Sequence, residues 1–331
     1  MELLRVNPAA PDPAALARAA EVLRAGGLVA FPTETVYGLG AHALDERAVA
    51  RIYAAKGRPA YNPLIAHVAD ADAARALVSA WPLAAELLAR AFWPGPLTMV
   101  LPKREMIPDA VTAGLPSVAV RVPGHPVALA LLRAAGIPVA APSANRFTQV
   151  SPTSAEHVVA SLGDAVDLVL DGGPTTVGIE STVVDLTGPV PRVLRPGMIS
   201  AEQIGAVVGA VDERPVAVEA GAARSSPGLV DRHYAPRARL LPFDDGSRAA
   251  ALAEAAAATA RGERVGSLAF SPLPVAEPRL MPRRAAAYAR RLYAELHELD
   301  DRGCALVLVE RVPDAPEWAG VRDRLERAAH E

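Results

Sequence analysis

Polar and cationic side chains gather directly after short apolar runs in five segments of this chain. The first is Pro32-Thr33-Glu34-Thr35-Val36-Tyr37-Gly38-Leu39-Gly40. The second is Lys56-Gly57-Arg58-Pro59, followed by Asn62-Pro63-Leu64-Ile65-Ala66-His67. Ser117 through Arg121-Val122-Pro123 is the third. Ala141-Pro142-Ser143-Ala144-Asn145 is the fourth and runs on to Ser151-Pro152-Thr153. Gly178-Ile179-Glu180-Ser181-Thr182 and then Leu194-Arg195-Pro196-Gly197 make the fifth. Ligands of open α/β sheets sit at strand ends. Lys, Arg, Ser, Thr and Asn gathered there suit a multiply anionic ligand, and a nucleoside triphosphate is the natural candidate. Taken singly, each segment also has a plainer explanation. Lys56-x-Arg58 at the end of a helix complements the helix dipole. Arg121 alternates with Val118, Val120 and Val122, as on the open face of an edge strand. Ser143-Ala144-Asn145 reads equally as a turn, and His67 as a core histidine. Their recurrence at successive strand ends is what points to a shared ligand site.

The elements that must carry these residues follow from periodicity. Asp12-Pro13 opens a helix with Leu16, Ala19, Ala20 and Leu23 on one face, and Gly26-Gly27 stops it. Leu28–Phe31 is a buried strand. Asp45 starts a second helix with Val49, Ile52 and Tyr53 on one face. Strands are expected at Pro63–Val68, Leu97–Leu101, Ser117–Val122, Ile137–Ala141, Asp167–Leu170 and Ser181–Leu186. Helices are expected near 72–79, 82–91, 125–134, 153–161 and 200–209. This is an α/β pattern with a large twisted sheet over residues 1–210. Residues 211–237 show no period and read as a linker or a working loop. From 238 to 331 the rhythm changes: strand 238–242, helix 247–261, strand 264–270, helix 283–299, strand 304–309, helix 316–329. Regular alternation of this kind predicts a small, Rossmann-like parallel α/β unit.

Composition narrows the function classes. The net charge is −3, so no overall basic field draws the chain to nucleic acid. Aromatics are only 4% of residues, few for the stacking platforms of a non-catalytic RNA-binding module. The single cysteine, Cys304, rules out an internal disulfide and reads as a small core residue of a strand. Met1-Glu2-Leu3-Leu4-Arg5 lacks the basic-then-apolar form of a signal peptide. No apolar run reaches the roughly 18 residues of a membrane span. A cytoplasmic protein without a membrane partner is therefore expected. There is no Gly-x4-Gly-Lys-Ser/Thr loop, and Gly38-Leu39-Gly40 lacks the third glycine of a dinucleotide fingerprint. His-Glu-x-x-His, paired Cys-x-x-Cys and Gly-x-Ser-x-Gly are missing too, so no resident metal is expected. A nucleotide site here must be of another kind.

Taken in order and spacing, several segments resemble the YrdC/Sua5 family. They are Phe31–Gly40, Lys56–His67, Phe92-Trp93-Pro94-Gly95-Pro96-Leu97-Thr98, Ala119–Pro123, Ala141–Asn145, Asp171-Gly172-Gly173, Glu180–Asp185 and Leu194–Gly197. Ser226-Pro227-Gly228, then His233-Tyr234-Ala235-Pro236 and the C-terminal alternation, resemble the longer Sua5 form. The resemblance implies a twisted sheet around a deep, positively lined cavity. It implies that L-threonine, bicarbonate and ATP give threonylcarbamoyl-adenylate and pyrophosphate, with Mg²⁺ accompanying ATP. A separate transferase would then carry the threonylcarbamoyl group to adenosine 37 of tRNA. Carried over position by position, Thr35, His67, Arg121, Ser181 and the backbone near Ala141 would hold threonine. Arg58, Asn62, Ser117, Ser143, Ser151, Arg195 and Tyr234 would hold ATP. Lys56 and Arg58 would stabilise phosphate charge. Apart from the resemblance, residues 211–237 are too long and aperiodic for a simple connector and Pro236 stiffens Ala235, so this segment is expected to fold back over the cavity mouth as a lid carrying Tyr234. The nearest rival is a related enzyme with another carbamoyl or adenylate chemistry.

The reaction explains these residue types. A carbamate oxygen must attack the α-phosphate, and both partners are anions. Holding them in line removes ~7–11 kcal/mol of barrier. One departure stands out: the family pattern continues Ser-Ala-Asn with x-Ser-Gly, but Asn145 is followed by Arg146-Phe147-Thr148-Gln149. Phe147 reads either as a surface for adenine or as loop packing, and glycine's backbone freedom is lost.

Overall fold

Asp12 accepts hydrogen bonds from the Ala14 and Ala15 backbone at the start of the helix Pro13–Arg24. That helix buries Leu16, Ala19, Ala20 and Leu23 against Val127 and Leu131 of the helix Pro126–Ala135. Beneath both lie Val29, Phe31, Leu168 and Leu170 of a sheet, so this pair covers one face. Completely burying a side chain such as Leu23 contributes about 1.5–3 kcal/mol. The helices Glu46–Lys56, Leu83–Phe92, Ala155–Leu162 and Ala201–Val208 supply the second core, with Val49, Ile52, Leu88, Val158 and Ile204.

The computed structural model describes residues 1–214 and 233–330. Ser226-Pro227-Gly228 and most of the proposed lid lie outside the described residues. The large sheet contains β1 (Glu2–Arg5), β2 (Val29–Pro32), β3 (Tyr37–His42), β4 (Ile65–His67), β5 (Leu97–Pro102), β6 (Ser117–Arg121), β7 (Val139–Ala140), β8 (Leu168–Asp171), β9 (Thr182–Asp185) and β10 (Arg192–Arg195). Their order is β1-β8-β2-β3-β7-β4-β6-β5-β9-β10, with parallel and antiparallel pairs mixed. A second sheet contains β11 (Arg239–Phe243), β12 (Arg264–Ala269), β13 (Glu277–Leu280) and β14 (Cys304–Glu310). Its order is β11-β14-β12-β13, and every pairing is parallel. The helices Arg248–Ala260, Ala285–Asp301 and Ala319–Ala329 accompany it. Cys304 is buried in β14. The α/β class and the parallel C-terminal unit are as the alternation predicts.

Two glycines set how closely the C-terminal unit approaches the first sheet. A Cβ on Gly178, which has φ +89°, would lie 2.4 Å from the Ala289 carbonyl oxygen. A Cβ on Gly320 would lie 2.7 Å from the Gly197 carbonyl oxygen. Only hydrogen fits at either point, so the helices Ala285–Asp301 and Ala319–Ala329 meet the loops flanking β9 and β10 backbone to backbone.

Some elements differ from expectation. The helix expected at 72–79 stops at Arg75, because Val78 turns to pair with Lys103. The strand expected over Ile137–Ala141 shrinks to Val139–Ala140. Residues 37–40, which close the first polar segment, belong to a full strand, Tyr37–His42, paired to β2. Its glycines hide the alternation that marks a strand.

Candidate active site

Strand pairing gathers the predicted residues. β4 and β6 run parallel with His67 beside Arg121, so imidazole and guanidinium leave the sheet as neighbours. β7 lies between β3 and β4 and leads into Ala141, Pro142 and Ser143. The β2–β3 hairpin supplies Thr33 to Val36, and the ends of β9 and β10 supply Ser181 and Arg195. Thr35, Arg58, His67, Arg121, Ala141, Ser143, Ser181, Arg195 and Tyr234 all line one pocket, together with Glu180 and His233. Ile65, Val100, Ala119, Val183 and Leu194 form an apolar cluster on these same strands.

Hydrogen bonds fix each side chain and leave specific atoms open. The Thr33 hydroxyl donates to the Val36 carbonyl at 2.6 Å and lies 2.8 Å from the Thr35 hydroxyl. Thr33's proton is already used, so Thr35 donates and its own oxygen remains an acceptor. Arg121 Nη2 donates to Glu34 Oε1 at 2.6 Å, and Glu34 Oε2 accepts from the Gly124 backbone at 2.9 Å. Arg121 Nε is buried without a partner. His67 Nδ1 lies 3.2 Å from the Ile65 carbonyl, which assigns the proton there. Burial, with Arg121's charge adding, pushes the His67 pKa down to about 3, so the ring is neutral. Arg195 donates from Nε and Nη2 to the Ser181 carbonyl at 3.2 and 3.0 Å. Its Nη2 also reaches Ser181 Oγ at 3.1 Å, and that hydroxyl is 2.8 Å from Thr98 Oγ1.

Around Arg58 the pattern is similar. Nε donates to the Asn62 carbonyl at 3.1 Å and Nη2 to the Pro63 carbonyl at 2.8 Å. Burial pulls its pKa to about 10, still charged at neutral pH. Asn62 is fully buried, yet neither its amide nitrogen nor its oxygen has a partner. The Tyr234 hydroxyl and His233 Nδ1 are buried and unpaired as well. Buried polar atoms without partners are costly, so the Tyr234 hydroxyl and His233 Nδ1, both in the pocket lining, mark where a ligand's polar atoms belong. Phe147 lies under Arg58, 5.9 Å from the guanidinium carbon, and edge-on to His233 at 5.8 Å.

Four predicted residues lie outside the lining. Lys56 Nζ donates to the Ser143 carbonyl at 2.6 Å and the Asn145 carbonyl at 2.5 Å, holding that loop from behind. Burial pushes its ammonium well below the usual lysine range, with Arg58's charge adding. The Ser151 hydroxyl donates to Glu180 Oε1 at 2.5 Å. Asn62 faces Arg58 through its backbone. Ser117 begins β6 while Arg121 ends it, so the two are a strand length apart.

Three supporting groups were not singled out from sequence. Glu34 and Glu180 sit inside quoted segments, beside Thr35 and Ser181, but their acidity masked a role among anion-binding residues. Arg324 has no sequence signal beyond helical spacing. Its Nε donates to Glu180 Oε2 at 2.8 Å from the helix Ala319–Ala329.

Comparison with known proteins finds relatives over nearly the whole chain. The Sua5_yciO_yrdC family model, described as telomere recombination, matches residues 21–197. A second model, the threonylcarbamoyl-AMP synthase C-terminal domain, matches residues 199–330. Threonylcarbamoyl-AMP synthase of Pyrococcus abyssi is 42% identical over 94% of this chain and 93% of its own length. The Bacillus subtilis enzyme of the same name is 42% identical over 95% and 92%. A crystal structure of P. abyssi Sua5 complexed with L-threonine superposes with TM-score 0.93 at 40% identity, covering 99% of this chain and 98% of that one. With both family models in sequence and relatives of this similarity over nearly its full length, the chain belongs to the threonylcarbamoyl-AMP synthase family, in the form that carries the C-terminal domain.

Proposed function

We propose that the pocket converts L-threonine, bicarbonate and ATP to threonylcarbamoyl-AMP and pyrophosphate. The observation that carries the reading is Arg121. One edge of its guanidinium is tied to Glu34, and its Nε is buried without a partner beside a neutral His67 and the acceptor oxygen of Thr35. A cation, a neutral ring and an acceptor fit the carboxylate and amine of an α-amino acid. Arg121 would take the carboxylate, Thr35 the amine, and His67, Ser181 and the Ala141 backbone the rest. Arg58, Asn62, Ser143, Arg195 and Tyr234 would take the nucleotide. Ser151 would act there through Glu180, and Ser117 is retained only on the strength of the family pattern.

The neutral threonine amine attacks the bicarbonate carbon, an N–C bond forms, a C–O bond breaks, and an amine proton leaves with the bicarbonate hydroxyl as water, giving a carbamate whose oxygen is already anionic. It attacks the α-phosphorus, the new O–P bond forms, and the bond to the pyrophosphate oxygen breaks. Arg58 and Arg195 lower the repulsion between the two anions, and Lys56 braces the Ser143–Asn145 loop behind them. No general base is required for this step. Among the described residues no group of three or more His, Cys, Asp or Glu could hold a metal ion, so the donor set does not build a metal centre. Mg²⁺ is assigned to the nucleotide, where it would neutralise phosphate charge. The product is passed to a tRNA threonylcarbamoyltransferase for modification at position 37. Among the described residues no helix is long and apolar enough to cross a membrane. The enzyme's place of work would be the cytoplasm, where the tRNA it serves is modified.

Calorimetry tests the assignment. L-threonine is expected to bind the wild-type protein, and Arg121→Lys, which loses the forked geometry, is expected to lose ~1.5–3 kcal/mol of that binding. Equal weakening of threonine and ATP in this variant would remove Arg121 from the carboxylate site.

A further inference from the structure

The carboxylate of Glu180 lies in the wall of a pocket assigned to anionic ligands. Three side chains hold it there. Ser151 Oγ donates to Oε1 at 2.5 Å, and Oε2 accepts from the Tyr293 hydroxyl at 3.0 Å and from Arg324 Nε at 2.8 Å. Burial opposes its ionisation most strongly. Arg324, Arg195 and Ser151 outweigh that effect and keep the carboxyl below its usual range.

Two of the three holders come from the C-terminal unit: Tyr293 on the helix Ala285–Asp301 and Arg324 on the helix Ala319–Ala329. Arg324 is fully buried. Its Nη1 donates to the Pro196 carbonyl at 2.9 Å, directly after Arg195, and to Asp323 at 2.6 Å. The same guanidinium lies 5.1 Å from the centre of the Tyr234 ring, and the Tyr293 ring lies 5.9 Å from it. Tyr234 is thus held by both helices, in a left-handed backbone conformation at φ 60°, with its hydroxyl unpaired in the pocket lining. Burying an arginine this deep is costly unless its partners are well placed. A unit that only tethered the chain would have no need to send a charge through to the catalytic sheet.

We propose that Arg324 and Tyr293 are positioning residues for the nucleotide half of the pocket, fixing Glu180, Ser151 and the Tyr234 ring from the C-terminal unit. The proposal rests on the threonine-and-ATP reading given above. The threonine half has separate support, because Glu34 holds Arg121 from within the large sheet. The two ligands should therefore respond differently when the C-terminal contacts are cut.

The test compares full-length wild type, Tyr293→Phe, Arg324→Met and Arg324→Lys. L-threonine binding is measured by calorimetry, and pyrophosphate release is measured with ATP varied. Tyr293→Phe deletes one hydroxyl and keeps the ring, so the core is retained. The KM for ATP is expected to rise several-fold in Tyr293→Phe and roughly tenfold or more in Arg324→Met. Threonine affinity is expected to stay within about twofold of wild type in both. Arg324→Lys is expected to recover part of the ATP affinity. An unchanged KM for ATP in folded Tyr293→Phe overturns the proposal, as does a parallel loss of threonine and ATP affinity. A wild-type protein that neither binds threonine nor releases pyrophosphate contradicts the functional reading itself, before any variant is compared.

Discussion

Arg121 and Glu34 form a 2.6 Å ion pair between β6 and the β2–β3 hairpin, with side-chain exposures of 4% and 9%. A pair this buried does more than add attraction. It holds a buried guanidinium aimed into the pocket, where a lone one would be too costly. Glu34→Ala is expected to destabilise the protein by about 3–5 kcal/mol, because it leaves the Arg121 charge uncompensated. L-threonine should restore part of the lost melting temperature, since its carboxylate supplies the missing counter-charge. Thermal melts with and without threonine check this. A variant that melts with the wild type would show that the pair is not structural.

Thr148 carries φ 68°, in the loop where the family pattern has glycine. A β-branched residue in this region is strained by about 1–2 kcal/mol. The loop keeps the shape because the Thr148 carbonyl accepts from Ala235 N at 2.9 Å and the Phe147 backbone donates to the Lys56 carbonyl at 2.8 Å. Thr148→Gly is therefore predicted to stabilise the fold by about 1 kcal/mol, net of the unfolded-state entropy that glycine adds. Denaturant titration gives the answer, and a loss of stability would mean that the threonine side chain contributes more than its strain costs.

Several histidines are buried as neutral rings. Burial, with Arg121 adding, takes His67 to about 3, and burial, with His297 adding, takes His157 to about 4. Burial, with Arg58 adding, takes His233 well below its usual value. In the unfolded chain such groups bind protons below about pH 6.5, while in the native state they do not. The stability they confer is complete above that pH and shrinks as pH falls toward the folded values. The melting temperature should therefore decline steadily from pH 7 to pH 5. Threonine affinity should stay flat from pH 8 to pH 6, because His67 gains no charge in that window. A tenfold change in affinity across it would contradict the neutral assignment.

Much of this was legible in the chain, and the exceptions share physical causes. β1, β10 and β13 escaped notice, and each is an edge strand of its sheet. Edges are short and polar, as in Glu2-Leu3-Leu4-Arg5 and Arg192-Val193-Leu194-Arg195, so they carry no clean apolar alternation. β3 was hidden by its glycines. In the site, the residues expected from the family pattern were found mostly on one pocket, because strand ends and motif order are local features. Glu34's role depends on a strand 87 positions away, and Arg324's on a loop 144 positions away. Lys56 shows the converse. Its type suggested phosphate, while its place at the end of the helix Glu46–Lys56 turns it onto two loop carbonyls.

That position gives Lys56 a distinct signature. Lys56→Ala should slow turnover by loosening the Ser143–Asn145 loop, and it should also lower stability, since two buried carbonyls lose their donor at a cost of about 1–3 kcal/mol each at most. Parallel melts and turnover measurements separate the outcomes. Slowed turnover at unchanged stability would place the ammonium on the phosphates alone.

The identity of the reaction is decided by its products. Purified full-length protein is incubated with ATP, Mg²⁺ and bicarbonate, with and without L-threonine, and the nucleotide and phosphate products are separated. Pyrophosphate and threonylcarbamoyl-AMP are expected in equal amounts, only when threonine and bicarbonate are both present, and neither from Arg121→Ala. Release of ADP and inorganic phosphate, or pyrophosphate formed without threonine, would contradict this reaction.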